Sequence, residues 1–176
     1  MLLNKLPCLD KGYVAYLDST CDSVKLRDVA LEFFKRTDGK FLQDLAHLTV
    51  VIKCPLFVQL NLSQFDLNIV VTPGSDDEAY CPSVGEIGSP DHATNKAIAD
   101  DFERTTAALQ VNPKAYQADG CDRFISQVMT PISTYTTLIV AGSYNEWRKF
   151  VNQPNMPAPL IAYTNAVHQI MTMEWK

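Results

Sequence analysis

Strongly basic segments, long apolar runs and paired cysteines are all missing from this chain, and each absence excludes a class of protein. Its 176 residues carry 15 Lys and Arg against 20 Asp and Glu, which gives a net charge of −5. Such a chain lacks the electrostatic footprint of sequence-independent nucleic-acid binding. The apolar stretches Leu48–Ile52 and Thr137–Ala141 are much shorter than the roughly 20 residues of a membrane-spanning helix. We therefore expect no nucleic-acid and no membrane partner.

The cysteines are odd in number and scattered, without a C-x-x-C pair: Cys8, Cys21, Cys54, Cys81 and Cys121. This distribution favours reduced thiols over a disulfide framework. The N-terminal residues also lack the long apolar region of a secretory signal. Together these features predict a cytoplasmic protein.

Recognisable metal, phosphate and nucleophile motifs are absent as well. None of the three histidines lies two to four residues from another, so a metal centre is not predicted. No glycine-rich stretch is followed by the Lys-Ser/Thr of a phosphate loop. A nucleophile built from Cys54 or Cys81 would lack a basic cluster to lower the thiol pKa. We interpret Cys54, which lies in an apolar stretch, as a buried packing residue.

The chain does contain a mixed series of strand and helix signals, which predicts an α+β fold in one domain spanning residues 1–176. Alternating or β-branched residues indicate strands over 13–17, 48–53 and 133–141. Segment 72–91 is rich in Pro, Gly and Asp and is predicted to be a surface loop. Helices are predicted from Ser23 as N-cap, over Phe41–Leu45, from Pro55, over Ala93–Leu109 with Asn112-Pro113 ending it, over Asp122–Met129, over Tyr144–Asn152 after a Ser143 cap, and over Leu160–Met173.

Three segments in this order resemble the flavin-dependent thymidylate synthases. Residues Leu9–Val14 are similar to that family's L-D-x-G-x-V strand, and Thr130–Thr136 to its L-P-x-x-x-Y-T segment. The family strand x-T-F-x-V-K-x-P-x-F-V is matched at Thr49, Val51, Lys53, Pro55, Phe57 and Val58. The resemblance implies a central, mostly antiparallel sheet flanked by helices. It also implies a homotetramer with its sites between subunits, and FAD and dUMP as cofactor and substrate.

The functional residues of that family do not carry over. Its Arg-His-Arg tripeptide should fall at residues 64–66, where this chain has Gln-Phe-Asp. The positions at which the family holds phosphates with arginine carry other residues here: Gln64, Asp66, Gln127, Asn145 and Pro154. Each lost charge-assisted contact is worth roughly 1.5–3 kcal/mol, and Asp66 would also repel a phosphate. We therefore expect flavin affinity to be lost, and we assign no catalytic residue.

Four side chains remain as candidates for contacting a planar base or flavin ring: Tyr135, Tyr144, Trp147 and Arg148. Packing or a subunit interface explains the same residues. The sequence thus favours a non-catalytic homologue that acts through oligomer assembly or a protein partner, such as a companion synthase subunit. The alternatives are a diverged flavin- or nucleotide-binding enzyme of pyrimidine deoxynucleotide metabolism that uses the cleft between subunits, and a decoy that mimics a synthase subunit.

Overall fold

Five strands in the described part of the chain form one antiparallel sheet, in the order β1-β2-β3-β5-β4. The computed structural model describes residues 4–20, 22–35, 38–72, 78–87, 90–121 and 131–175. The strands are β1 (Lys5–Cys8), β2 (Gly12–Ser19), β3 (His47–Pro55), β4 (Asn68–Val71) and β5 (Tyr135–Ser143). The helices are α1 (Ser23–Val29), which continues as a π-helical turn (Ala30–Phe34), α2 (Gly39–Leu45), α3 (Leu56–Leu62), α4 (His92–Ala118), α5 (Tyr144–Val151) and α6 (Ala158–Glu174), with a 3-10 turn at Val84–Glu86. The α+β class is confirmed.

The chain forms two compact units. The first comprises the described residues of Met1–Cys54, Val58–Pro73 and Thr137–Lys176, and the second those of Pro55–Phe57 and Gly74–Thr136. The first unit holds nearly all of the sheet, and the second holds α4 and the 3-10 turn. A single domain over residues 1–176 stays a prediction.

The core of the first unit lies on one face of the sheet. Every second side chain of β3 is fully buried, and α5 and α6 cover this face with large side chains. The fully buried members from the strands are Leu48, Val50, Ile52, Cys54, Leu138 and Val140, and those from the helices are Trp147, Phe150, Tyr163 and Val167. The burial of Cys54 confirms its interpretation as a packing residue.

The second unit is organised around Tyr80. Its ring meets Phe57 edge-on at 5.8 Å, and its hydroxyl donates to Glu86 Oε1 at 3.1 Å. Glu86 also closes a capping box with Ser83, which fixes the 3-10 turn. Within the same unit, the N–H of Tyr135 donates to the Glu78 carbonyl at 2.8 Å.

The N-terminal caps illustrate one prediction that holds and one that does not. Ser143 caps α5 as predicted, because its hydroxyl accepts from the N–H of Glu146 at 3.3 Å. For α1 the prediction of Ser23 is wrong by one residue. The cap is Asp22, whose carboxylate accepts from the N–H groups of Val24 at 3.1 Å and Lys25 at 3.2 Å.

Two other predictions are corrected. Helix α4 does not end before Asn112-Pro113 but continues to Ala118, and the N–H of Asp119 still donates to the Ala115 carbonyl at 3.0 Å. A proline removes one backbone donor, and the residues after it can resume helical hydrogen bonding. The helix predicted from Pro55 begins one residue later, since Pro55 ends β3 and α3 runs from Leu56 to Leu62.

Strands β1 and β4 had no counterpart in the sequence predictions, and they form the two edges of the sheet. The predicted surface loop over 72–91 contains the 3-10 turn and an isolated bridge between Ala79 and Thr134 in its described part. The predicted helix Asp122–Met129 lies outside the described residues.

Candidate functional site

Residues 64–66, where the resemblance places the Arg-His-Arg tripeptide, form a turn immediately after α3. Gln64 and Asp66 are exposed there, and Phe65 between them is partly buried. The Phe65 ring packs edge-on against Phe150 at 5.7 Å between centroids. The N–H of Asp66 points to α5 and donates to Glu146 Oε2 at 3.4 Å. The contact between Phe65 and Phe150 therefore holds this turn against α5, and the Glu146 carboxylate accepts a hydrogen bond from its backbone.

Asn145, in the first turn of α5, contacts a further carboxylate, that of Asp44 in α2. The side-chain amide of Asn145 donates to the Asp44 carboxylate and to the Lys40 carbonyl at 3.4 Å. Glu146 forms an ion pair with Lys149 one turn later in α5. The hydrogen bond to Glu146 raises the pKa of Lys149, and the charges of Asp66 and Asp44 raise it further.

We name Asp44, Asp66, Glu146 and Lys149 the acidic cluster. It joins α2, the turn after α3 and α5, all within the first unit. Arg148 lies beside it and donates to Gln43 Oε1 at 2.6 Å. Three carboxylates face two cations, so the net charge is −1 where the resemblance implies several free arginines. An anionic phosphate would meet carboxylates here, and Lys149 is already engaged by Glu146.

The candidate aromatic residues are buried rather than arranged around a cleft. Trp147 is fully buried, and its indole N–H donates to the Leu48 carbonyl at 3.0 Å. Tyr144 donates its hydroxyl to the Met171 carbonyl, and its ring lies 4.6 Å from that of Trp175. Tyr135 is also fully buried. All three side chains are therefore buried within the described part of the chain.

The structure thus brings together only some of the family positions. Asp66 and Asn145 meet at the first turn of α5, and Gln64 lies in the same exposed turn as Asp66. Arg148, a candidate for ring contact rather than a family position, lies further along α5. Pro154 is an exposed turn residue between α5 and α6. Gln127 lies outside the described residues.

Sequence reasoning missed two members of the cluster, Glu146 and Lys149, although both had a readable local signal. Glu146 occupies the first turn of a helix capped by serine, where acidic residues favour the helix dipole, and Lys149 follows it at i+3. The approach of Asp44 and Asp66 to this helix depends on tertiary packing alone.

A separate groove of about 420 Å³ opens where the end of β2 meets α1 and the end of α6. Its lining residues are Ser19, Thr20, Asp22, Lys25, Leu26, Val29 and Glu174. Ser19 donates its hydroxyl to Glu174 Oε2 at 3.3 Å, and Lys25 pairs with Asp22 at 3.5 Å. The groove combines an apolar wall from α1 with carboxylates, and no position aligned with the family's arginines lines it.

Within the described ranges, no three His, Cys, Asp or Glu side chains are grouped so that they could hold a metal ion. Nor does any described helix combine the length and apolar character needed to cross a membrane. Comparison with protein-family models and with curated proteins gave no match to this chain.

Proposed function

We propose that this protein is a non-catalytic homologue of the flavin-dependent thymidylate synthases that acts through assembly, with copies of itself or with a protein partner. The acidic cluster is the observation that carries this proposal. Active members of that family need cations around the flavin and nucleotide phosphates. Here Asp66 and Asn145 stand at two of the positions that carry those cations. Glu146 accepts a hydrogen bond from the backbone N–H of Asp66, and Asp44 accepts one from the side-chain amide of Asn145.

Electrostatic repulsion disfavours phosphate binding at the acidic cluster. A phosphate placed there gains at most the exposed Lys149 and Arg148, which already have partners in Glu146 and Gln43. It must also approach three carboxylates, and like charges at contact distance disfavour binding. A fold with the acidic cluster at these positions is better suited to protein contacts than to dinucleotide chemistry.

The test is a titration of the purified protein with FAD and with dUMP, followed by flavin fluorescence and by calorimetry. We expect no saturable signal up to millimolar ligand, and no visible flavin absorbance in the protein as purified. The matched variants are Asp66→Asn and, as a control, Asp119→Asn, which removes an exposed carboxylate beyond α4. Neither should gain affinity, because neither supplies a cation.

A saturable flavin or nucleotide signal that strengthens in Asp66→Asn but not in Asp119→Asn would overturn the proposal. It would show that an anion occupies the acidic cluster, and a diverged nucleotide-binding enzyme would then be the better interpretation.

A further inference from the structure

The two edges of the sheet differ in how they are protected against pairing with another strand. Edge strands of natural sheets commonly carry lysine, proline or a bulge, which block the addition of a further strand. Strand β1 has two of these features, since Lys5 and Pro7 are both exposed. Strand β4 has no charged residue and no proline, and its pairing with β5 shows no register shift. The β4 edge is therefore the one to which a further strand can add.

The hydrogen-bond pattern of β4 decides which of its backbone groups face outward. The N–H of Thr72 donates to the Thr137 carbonyl at 3.0 Å, in register with the β4–β5 ladder. Hydrogen-bonded residues alternate along an antiparallel pair, so Val70 bonds to β5 and its neighbours do not. The N–H and C=O groups of Ile69 and Val71 consequently point away from the sheet. No strand in the described ranges pairs with this side of β4.

The side chains of β4 leave apolar surface exposed on both faces of the sheet. Ile69 pairs with Val140, and Val71 with Leu138. Both partners are fully buried, so Ile69 and Val71 lie on the core face of the sheet. Val71 is nevertheless 49% exposed, and Val70 on the opposite face is 60% exposed. A strand added at this edge would cover both side chains.

An antiparallel copy of β4 is complementary to this edge when a two-fold axis passes through Val70. Ile69 of each copy then exchanges two backbone hydrogen bonds with Val71 of the other, which gives four in all. On one face Val70 meets its own counterpart, and Asn68 lies opposite Thr72, so apolar groups meet apolar groups and polar groups meet polar groups. No charged residue lies between Asn68 and Thr72, and the axis therefore places no like charges opposite each other in this segment.

We propose that a second copy of this chain pairs with the outer edge of β4, antiparallel and with a two-fold axis at Val70, so that the two sheets become continuous. A two-fold contact uses the same edge twice. Two strands of four residues bury less than the roughly 1,000 Å² of a stable interface, so the dimer is weak and forms at high protein concentration. This inference rests on the proposed function, since it names the surface through which copies assemble.

The decisive variant is Val71→Pro, measured by sedimentation equilibrium over a concentration series up to about 1 mM. Proline is tolerated in an edge strand when its missing N–H faces outward, so the β4–β5 ladder should stay intact. The dimer loses two hydrogen bonds, because the change acts once in each copy, and we expect its dissociation constant to rise at least about tenfold. The urea midpoint of the monomer should be unchanged. Val70→Pro is the matched contrast, because its N–H bonds to β5 and its loss should lower that midpoint.

A charged variant tests the axis itself. Val70→Lys places two like charges opposite each other in the dimer and should also weaken association at least about tenfold. Val111→Lys is the control, because Val111 is 64% exposed on α4 and lies outside the sheet. It should associate like the wild-type protein.

Disulfide formation identifies the second copy as the occupant of the edge. In the proposed register the two copies of residue 70 form a non-hydrogen-bonded pair with Cα atoms about 4.5 Å apart, which is within the range of a disulfide. Val70→Cys should therefore give a covalent dimer on mild oxidation, in a Cys121→Ser background that removes an exposed native thiol. Asn68→Cys is the matched control on the same face, because its own counterpart lies four residues further along, about 14 Å away. It should cross-link at least about tenfold more slowly.

Three results would overturn the inference. These are a wild-type protein that stays monomeric up to about 1 mM, a Val71→Pro variant that associates like wild type, or an Asn68→Cys variant that cross-links as fast as Val70→Cys. Association that survives Val71→Pro refutes this edge but leaves the proposed function in place. Saturable flavin binding by the dissociated Val71→Pro variant refutes the proposed function and leaves this edge in place.

Discussion

Substituting Gly12 by alanine should test the packing of α6 on the sheet. Gly12 begins β2 and pairs with Cys8 across the β1–β2 hairpin. A Cβ atom at this position would lie 2.0 Å from the hydroxyl oxygen of Tyr163, 2.7 Å from the Cys8 carbonyl and 2.9 Å from the Lys53 carbonyl. All three distances are shorter than real Cβ contacts, so the surrounding structure must move.

The cost follows from which atoms can move. The two carbonyls belong to β1 and β3 and are held by the ladders on either side of β2. The Tyr163 hydroxyl can leave, but it then gives up its 3.2 Å hydrogen bond to the Lys53 carbonyl. Overpacking costs about 1–3 kcal/mol and the lost hydrogen bond about 0.5–1.5 kcal/mol. We expect Gly12→Ala to lower the free energy of unfolding by about 1.5–4.5 kcal/mol.

Urea denaturation followed by circular dichroism measures this change, and a double-mutant cycle with Tyr163→Phe assigns its cause. Tyr163→Phe alone should cost about 0.5–1.5 kcal/mol. The double variant should cost less than the sum of the singles by about 1 kcal/mol, because the closest clash is already gone. Gly39→Ala is the control, since nothing lies within 4 Å of its Cβ position at the start of α2. It should be neutral or stabilising by up to about 1 kcal/mol.

Strict additivity in this cycle, or a Gly12→Ala variant within about 0.5 kcal/mol of wild type, would refute the reasoning. The first result would mean that Tyr163 does not approach Gly12. The second would mean that β1, β2 and α6 are packed loosely enough to accommodate one added methyl group without strain.

Two further predictions concern titratable groups. Burial raises the pKa of Cys8 to about 12 and also raises that of Cys54, so iodoacetamide at neutral pH should modify the exposed Cys121 and spare both. Peptide mapping by mass spectrometry checks this, and alkylation of Cys8 as fast as Cys121 would contradict it. Burial raises the pKa of Glu86, but hydrogen bonds, chiefly from Ser83, outweigh it and hold that pKa below its ordinary value of 4.5. Its ionised form therefore contributes stability above pH 4.5 that is lost as the pH falls through the depressed pKa, and Glu86→Gln should flatten the acid side of the stability profile in urea titrations. An unchanged profile would count against the capping box.

Signals confined to a few residues predicted much of the fold. Strands β2, β3 and β5 were predicted because alternation and β-branching are properties of the segment itself. The Ser143 cap of α5 was predicted for the same reason, since a cap needs only the residues within one turn. The α+β class followed from the order of these elements.

Elements stabilised by their neighbours were not predictable in this way. Strands β1 and β4 have four residues each, and it is pairing with β2 and β5 that makes them strands. Helix α4 continues beyond Pro113 because the residues after the proline resume helical hydrogen bonding, and these bonds outweigh its local helix-breaking effect.

The candidate site likewise has some features set by the local sequence and others set by tertiary packing. The sequence by itself determined which side chains stand at residues 64–66 and 145, and so determined that the cations of the resembling family are absent there. Only the tertiary structure decided that the backbone of Asp66 meets Glu146, 80 residues away, and that Asp44 joins them. It also decided that Trp147 and Tyr135 are enclosed in the core. The reason is physical: residue type fixes what a group can bind, whereas the packing of distant segments fixes which groups it meets and whether water or a ligand can reach it.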